Sequence, residues 1–281
     1  MRKHLVITAD DFGLSAEVNA AVEQAHVAGV LSAASLMVGA PAAADAVARA
    51  RRLPGLRVGL HLALVEAQPL LPAAEVRGLL GPDGWFRRDP AAYGAAIFFR
   101  PSLRRQVAAE VEAQFRAFAA TGLALDHVNA HQHFHLHPVV AEAMMRVGPR
   151  YGMRAVRLPA EPHGIVRSID PGAPGLLSGI TSPWTRRLGR LLRQRGLRVP
   201  DAVFGLAWTG AMTADRLREL VDRLPAGLSE IYTHPAVAGG FVGAAPGYRY
   251  ADELAGLLDP AVMTAVRRSG ASLGGFSDAL A

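Results

Sequence analysis

At 281 residues, half of them apolar and none cysteine, the chain can build one large α/β domain or two small ones, without disulfides, thiolate metal sites or cysteine nucleophiles. Any metal it binds must therefore be held by His, Asp and Glu. The net charge of +6 rests on arginine, with Lys3 the only lysine; this bias goes with abundant Ala and Gly and reflects base composition, and no aromatic interleaving points to nucleic acid.

An apolar, β-branched run at 5–9 predicts a buried first strand ending at Asp10-Asp11-Phe12-Gly13. The break at the two aspartates marks a strand rather than a secretory leader. The uncharged segment 29–44 falls short of the ~20 apolar residues that a membrane span needs. A soluble, cytoplasmic protein is expected. Ser15 is placed to cap a helix over 16–26, closed by Gly29. A strand at 32–38, a helix at 42–52 and a strand at 57–63 follow, the last carrying His61 near its end. This alternation predicts parallel βαβ units. Residues 64–101 break the rhythm with Pro, Gly, Trp85 and Phe86, and are expected to form a long excursion over the mouth of the fold, with Trp85 facing substrate.

Ser102 is placed to cap a helix reaching 120, with Val107, Val111, Phe115 and Phe118 on one face. Five of the ten histidines then fall in His127-Val-Asn-Ala-His131-Gln-His133-Phe-His135-Leu-His137-Pro138, all at odd positions. On an extended strand His127, His131, His133 and His135 would share one face. Pro138 ends the run and begins a helix over 138–150. A strand at 153–158 closes on Arg157-Leu-Pro159. Leu188, Leu191 and Leu192 lie opposite arginines in a basic amphipathic helix over 184–198, either a solvated face or a contact for an anionic membrane or lipid-linked substrate. A strand at 202–206, a helix capped by Thr213, a strand at 230–235 ending in His234-Pro235, a Gly-rich loop at 239–247 and a last helix at 260–269 complete the chain. No repeat or boundary divides it, so 1–281 is expected to be a single-domain, distorted (β/α) barrel.

Four predicted strand ends carry polar groups: Asp10 with Asp11, His61, His131 with its neighbours, and His234. In a parallel sheet these ends lie on one face, so the groups can converge. Two aspartates exceed what capping needs, since Ser15 serves the next helix. One carboxylate and two imidazoles make a facial site with open positions, suited to Zn, Fe, Co or Mn. Such a site lowers the pKa of a bound water to about 7. A second Asp beside it could act as general base.

Thr8-Ala9-Asp10-Asp11-Phe12-Gly13, Gly59-Leu60-His61-Leu62 and the His-rich run ending in proline resemble, in order and spacing, the YdjC-type carbohydrate deacetylases. That family is a branch of the glycoside hydrolase/deacetylase barrels that remove N-acetyl groups from amino sugars. The form Asn129 to Pro138, with Phe98-Phe99-Arg100-Pro101, is similar to the deacetylases encoded with hopanoid-biosynthesis genes. The resemblance implies a distorted barrel, a homodimer, and one divalent ion (Zn, Mg, Co or Mn) on Asp11, His61 and His131. It implies Asp10 as general base and His234 as the acid that protonates the leaving amine. His133, His135 and Asn129 would face the substrate or back the ligands, and Arg157 would tune Asp10. The implied substrate is an N-acetylglucosaminyl hopanoid, with peripheral membrane contact. A soluble chito-oligosaccharide is the alternative. Three rival readings remain at this point. A different barrel amidohydrolase would open with His-x-His where this chain has Asp-Asp. A non-haem iron oxygenase prefers a jelly roll. A His-rich metal buffer would take up several ions.

Overall fold

The alternation of apolar strands and amphipathic helices produces a curled parallel sheet. In the computed structural model, which describes residues 3–173 and 176–280 and omits the side chains of 176–182 and 280, its order is β4-β3-β2-β1-β6-β5. The strands are β1 (Lys3–Phe12), β2 (Ala33–Leu36), β3 (Arg57–Leu62), β4 (Val128–Ala130), β5 (Ala202–Phe204), β6 (Gly227–Thr233) and β7 (Ser272–Leu273). Every pairing is parallel, including that of β7 with β1. Parallel neighbours need long crossovers, and helices supply them. They are α1 (Ala16–Ala28), α2 (Ala43–Arg52), α3 (Ala73–Val76), α4 (Pro90–Phe99), α5 (Pro101–Ala120), α6 (Pro138–Val147), α7 (His163–Ile169), α8 (Leu176–Gln194), α9 (Ala214–Asp222), α10 (Tyr250–Leu258) and α11 (Pro260–Arg268). This is the expected distorted α/β barrel.

Several sequence expectations change in detail. Ser15 does cap α1, its hydroxyl accepting from Val18 N at 3.3 Å. Ser102 does not cap α5: the helix opens with Pro101, whose fixed φ and missing N–H suit the first helical position. The excursion at 64–101 holds two short helices, α3 and α4, and Asp89 caps α4 by accepting from the N–H of Ala91 and Ala92. The strand expected at 153–158 is reduced to isolated bridges, Val128 with Val156 and Ala155 with Arg198. It still matters. Arg157 N donates to Val128 O and Val203 N donates to Ala160 O, so this irregular segment spans the gap between β4 and β5. The basic helix exists as part of α8, with Leu188 and Leu192 buried and Arg186, Arg187 and Arg190 exposed, the arrangement of a solvated face.

Alternate residues of each strand turn inward. Low in the interior, Val6, Ala33, Ala155 and Leu228 form a small apolar cluster closed by Phe276 and Ala279 of the C-terminal tail. Above it the interior is polar, with Thr8, Ser35, Asn129, Arg157 and Glu230 all fully buried. The tail is anchored by Asp126, which accepts from Phe276 N, Ser277 N and the Ser277 hydroxyl. Burial pushes the Asp126 carboxyl up, but His127 and Ser277 outweigh it and hold the group at about 2. Since this pKa lies below the unfolded value, the resulting stability is complete above about pH 4 and is lost as pH falls towards 2, on the order of 2 kcal/mol. Urea unfolding should show that acid loss in the wild type, and a loss smaller by roughly that amount in Asp126→Asn.

Candidate active site

Adjacent residues on a strand normally point to opposite faces, yet Asp10 and Asp11 are buried together, 3% and 7% exposed. The cause is a break in the β1–β2 register between Ala9 and Phe12, where Asp11 takes φ of 60°. Such a bulge re-aims the side chain that follows it. The turn beyond is held by Asn19, whose Oδ1 accepts from Gly13 N at 2.8 Å and whose amide donates to Ala42 O and Asp45.

Asp11 meets two imidazoles from neighbouring strand ends. Its Oδ1 lies 3.3 Å from His61 Nε2 and 3.1 Å from His131 Nδ1. One ligand atom from each residue lies within 4.8 Å of the other two. Burial raises the Asp11 carboxyl, and His131 beside it more than reverses this, leaving it well below the usual range. Burial lowers His131, but Asp11 beside it brings the net shift upward. The three expected ligands are thus together.

The proton on His61 is set by Asn129. The Asn129 amide nitrogen donates to Asp10 Oδ1 at 3.0 Å and to Ser35 Oγ at 2.9 Å, so its Oδ1 accepts from His61 Nδ1 at 2.7 Å. His61 Nε2 is left with a lone pair, buried and without a hydrogen-bond partner, facing the Asp11 carboxylate. Two acceptors turned toward each other in a dry site suit a cation between them. One oxygen and two nitrogen donors fit a divalent ion, and no thiolate selects a soft one.

Asp10 is held differently. Arg157 is fully buried and donates to both Asp10 oxygens, Nη1 to Oδ2 at 2.5 Å and Nη2 to Oδ1 at 3.0 Å. The same guanidinium donates to both oxygens of Glu230, and Thr8 Oγ1 donates to Glu230 Oε1. Burial alone would raise the Asp10 carboxyl, and Arg157 drives it far below its ordinary value instead. Asp10 is therefore charged throughout the working pH range. Its Oδ1 takes two hydrogen bonds and its Oδ2 one, which leaves a lone pair on Oδ2. So weak a base is matched to an acidic proton. Arg157 lies as expected. Glu230, its second carboxylate, is not among the expected site residues; the signal is a charged residue within a buried strand, β6.

The His-rich run is not one extended strand. β4 stops at Ala130, and Gln132 and His133 then adopt φ of 51° and 52°, both in the left-handed region. Alternation ends there, and the imidazoles separate. His127 lies fully buried at the lower interior, stacked on Phe276 at 4.6 Å. His131 stays at the mouth. His133 Nε2 is 3.2 Å from the Tyr232 hydroxyl, which also bonds Thr209. Burial, with Arg157 adding to it, holds His133 well below its usual value. His135 is fully buried, its Nε2 donating to Arg157 O at 2.8 Å, and burial lowers it to about 4. It supports the segment that carries Arg157. His234 directly follows β6, with its backbone N–H on Glu253 and its ring edge-on to Tyr232 and Tyr248. It is near enough to favour the Asp10 carboxylate electrostatically. Trp85 is held within its own turn, where Gly81 N donates to Trp85 O, and joins none of the hydrogen bonds that knit the site.

Residues 4–268 match the YdjC-like protein family. The chain is 30% identical over 277 residues to a carbohydrate deacetylase of Geobacillus stearothermophilus, covering 97% of this chain and 96% of that one. It is 34% identical over 246 residues to the mouse carbohydrate deacetylase, covering 83% and 78%. A solved structure from Enterococcus faecalis, provisionally assigned to cellobiose-phosphate cleavage, has the same fold: TM-score 0.79, 24% identity and 99% coverage of both chains.

Removing the central guanidinium should expose what it balances. Arg157→Met leaves Asp10 and Glu230 as unpaired buried carboxylates, which costs about 3–5 kcal/mol. One of them must then take up a proton in the folded state, so the variant should gain stability as pH falls from 7 to 5. Denaturant unfolding at the two pH values measures both effects.

Proposed function

This chain belongs to the YdjC-like protein family, and on that premise we propose that it is a metal-dependent deacetylase acting on an N-acetylated amino sugar. The observation that carries the proposal is the division of labour between adjacent carboxylates. Asp11 stands with His61 and His131 around a place for a cation, while Asp10 is tied to Arg157 and kept off that cluster. The curated relatives, which are carbohydrate deacetylases, support the substrate class.

When bound, a divalent ion on Asp11, His61 and His131 supplies a polarised amide oxygen and an acidified water. Asp10 takes the proton of the attacking water through its free Oδ2 lone pair. Arg157 and Asn129 fix that carboxylate in place, so no reorientation is needed at the moment of transfer. As the carbon–nitrogen bond breaks, His234 gives a proton to the departing amine, and acetate and the free amino sugar result. His133, whose Nε2 meets the Tyr232 hydroxyl, backs the site from the turn beyond His131.

The finer reading is that the sugar is carried on a hopanoid, as an N-acetylglucosaminyl glycolipid. Its support is the form of the segment from Asn129 to Pro138, together with an apolar tip beside it. Phe98 and Phe99 are 43% and 76% exposed, next to exposed Arg100, Arg104 and Arg105. The Phe98 ring packs edge-on against His137, at the end of the turn that begins with His131. Exposed aromatic and cationic side chains suit contact with a lipid surface. The apolar run Leu176, Leu177, Ile180 and Trp184 would offer a lipid aglycone a further contact; the side chains of its first three residues lie outside the described residues. Trp184 is described: its indole N–H donates to Leu136 O, which ties α8 to the same rim.

Asp10→Asn should lower kcat at least 100-fold while bound metal stays at the wild-type level. His131→Ala should lose the metal. Paired activity and metal-content assays check both, and near-normal turnover by Asp10→Asn would remove Asp10 as the base. Offered N-acetylglucosaminyl bacteriohopane and N,N′-diacetylchitobiose side by side, the enzyme should prefer the lipid; preference for the soluble sugar sinks the hopanoid assignment.

A further inference from the structure

The interior polar layer holds a line of hydrogen bonds whose lower part, Asp126, His127 and Ser35, the proposed reaction does not use. Asp126 Oδ2 lies 2.9 Å from His127 Nδ1, and His127 Nε2 lies 3.0 Å from Ser35 Oγ. Ser35 Oγ accepts from Asn129, which in turn accepts from His61 Nδ1. All five residues are buried, with exposures from 0% to 4%. The side chains resemble a nucleophilic Ser-His-Asp set in their order, but the Ser35 hydroxyl is enclosed between His127 and Asn129 and has no approach for a substrate.

Proton placement along the line has one assignment that leaves no donor unpaired. A carboxylate only accepts, so His127 Nδ1 carries a proton toward Asp126. The Asn129 amide nitrogen spends one hydrogen on Asp10 and the other on Ser35. Ser35 therefore gives its own hydrogen to His127 Nε2. Asn129 Oδ1 remains to accept from His61 Nδ1. The order is settled from the bottom of the barrel to the top, and it ends at His61 Nε2, the one atom in the line without a partner. Each hydrogen bond in such a chain polarises the next.

We propose that Ser35, His127 and Asp126 are positioning residues that set the tautomer of His61 and the orientation of Asn129, and through them the geometry of Asp11's cation site and of Asp10. The line is built at some expense. Gly59 has no Cβ because one would sit 2.5 Å from the His127 ring. Asp126 in turn is gripped by the tail through Phe276 and Ser277. The C-terminal tail thus anchors a line of contacts that reaches the metal ligands from the opposite end of the barrel.

This inference rests on the metal-dependent reading, and its test separates the two. In Ser35→Ala and in His127→Phe, which keeps the ring stacked on Phe276, zinc affinity measured by competition calorimetry should fall 10- to 100-fold. Ser35→Thr, which restores a hydroxyl, should recover most of it. For the wild type on an N-acetylated sugar, kcat should exceed that of Ser35→Ala by a similar factor, with KM nearly equal. Nitrogen-resolved histidine spectra of the metal-free wild type should show the His61 proton on Nδ1. Zinc affinity within twofold of wild type in both variants overturns the proposal, as does a His61 proton on Nε2. If the variants fail to fold, the spectrum of the wild type decides alone. Weakened zinc binding in the variants, with a wild type inert toward N-acetylated sugars, would keep the positioning role and remove the deacetylase reading; active deacetylation by the wild type with unaltered zinc affinity in both variants would do the reverse.

Discussion

Two neighbouring carboxylates with their backs to bulk water would repel each other unless each had its own counter-charge, and the molecule is arranged to supply two. Arg157 neutralises Asp10, while Asp11 faces His131 and the open nitrogen of His61, where a bound cation would complete its charge balance. Keeping the two apart is what the proposed division of labour requires, one carboxylate for a cation and the other for a proton. A buried guanidinium shared between two carboxylates is expensive to desolvate, and breaking it is worse than never having built it. That cost is borne by a residue on the least regular segment of the barrel wall.

The irregularity has a physical reason. Arg157 must lie across the barrel axis to reach both β1 and β6, and His135 fastens its backbone carbonyl from the kinked turn above. The register slip at Asp11 works in the same sense on the other side of the site. Both departures from ideal strand geometry sit at the mouth, where side chains are re-aimed, while the lower interior keeps its regular alternation and is closed by Phe276. Strain gathered around reactive groups on an otherwise ordinary scaffold is a common arrangement in enzymes.

Much of this was legible in the sequence, and the failures have causes. Asp10, Asp11, His61 and His131 could be gathered from a single rule, that parallel strands end on one face. The same rule located His234 and Arg157. The histidine run misled because a period of two holds only while φ stays extended, and Gln132 and His133 carry no glycine-like mark of the left-handed turn they adopt. Glu230 escapes a reading that starts the strand at that residue, since it lies at the middle of the buried β6. Nothing local could pair it with Arg157, since that contact joins segments 73 residues apart. Trp85 was drawn toward the site by its place in a long excursion, but the excursion folds into helices with a turn of their own.

The most direct measurement is anomalous diffraction from crystals grown with zinc or cobalt. The account predicts one strong peak about 2.0–2.2 Å from an Asp11 oxygen, His61 Nε2 and a His131 nitrogen, with Asp10 still paired to Arg157 and outside bonding distance of the ion. A peak bridged by Asp10 and Asp11 together, or ions scattered over His133, His135 and His137 with this cluster empty, would contradict it.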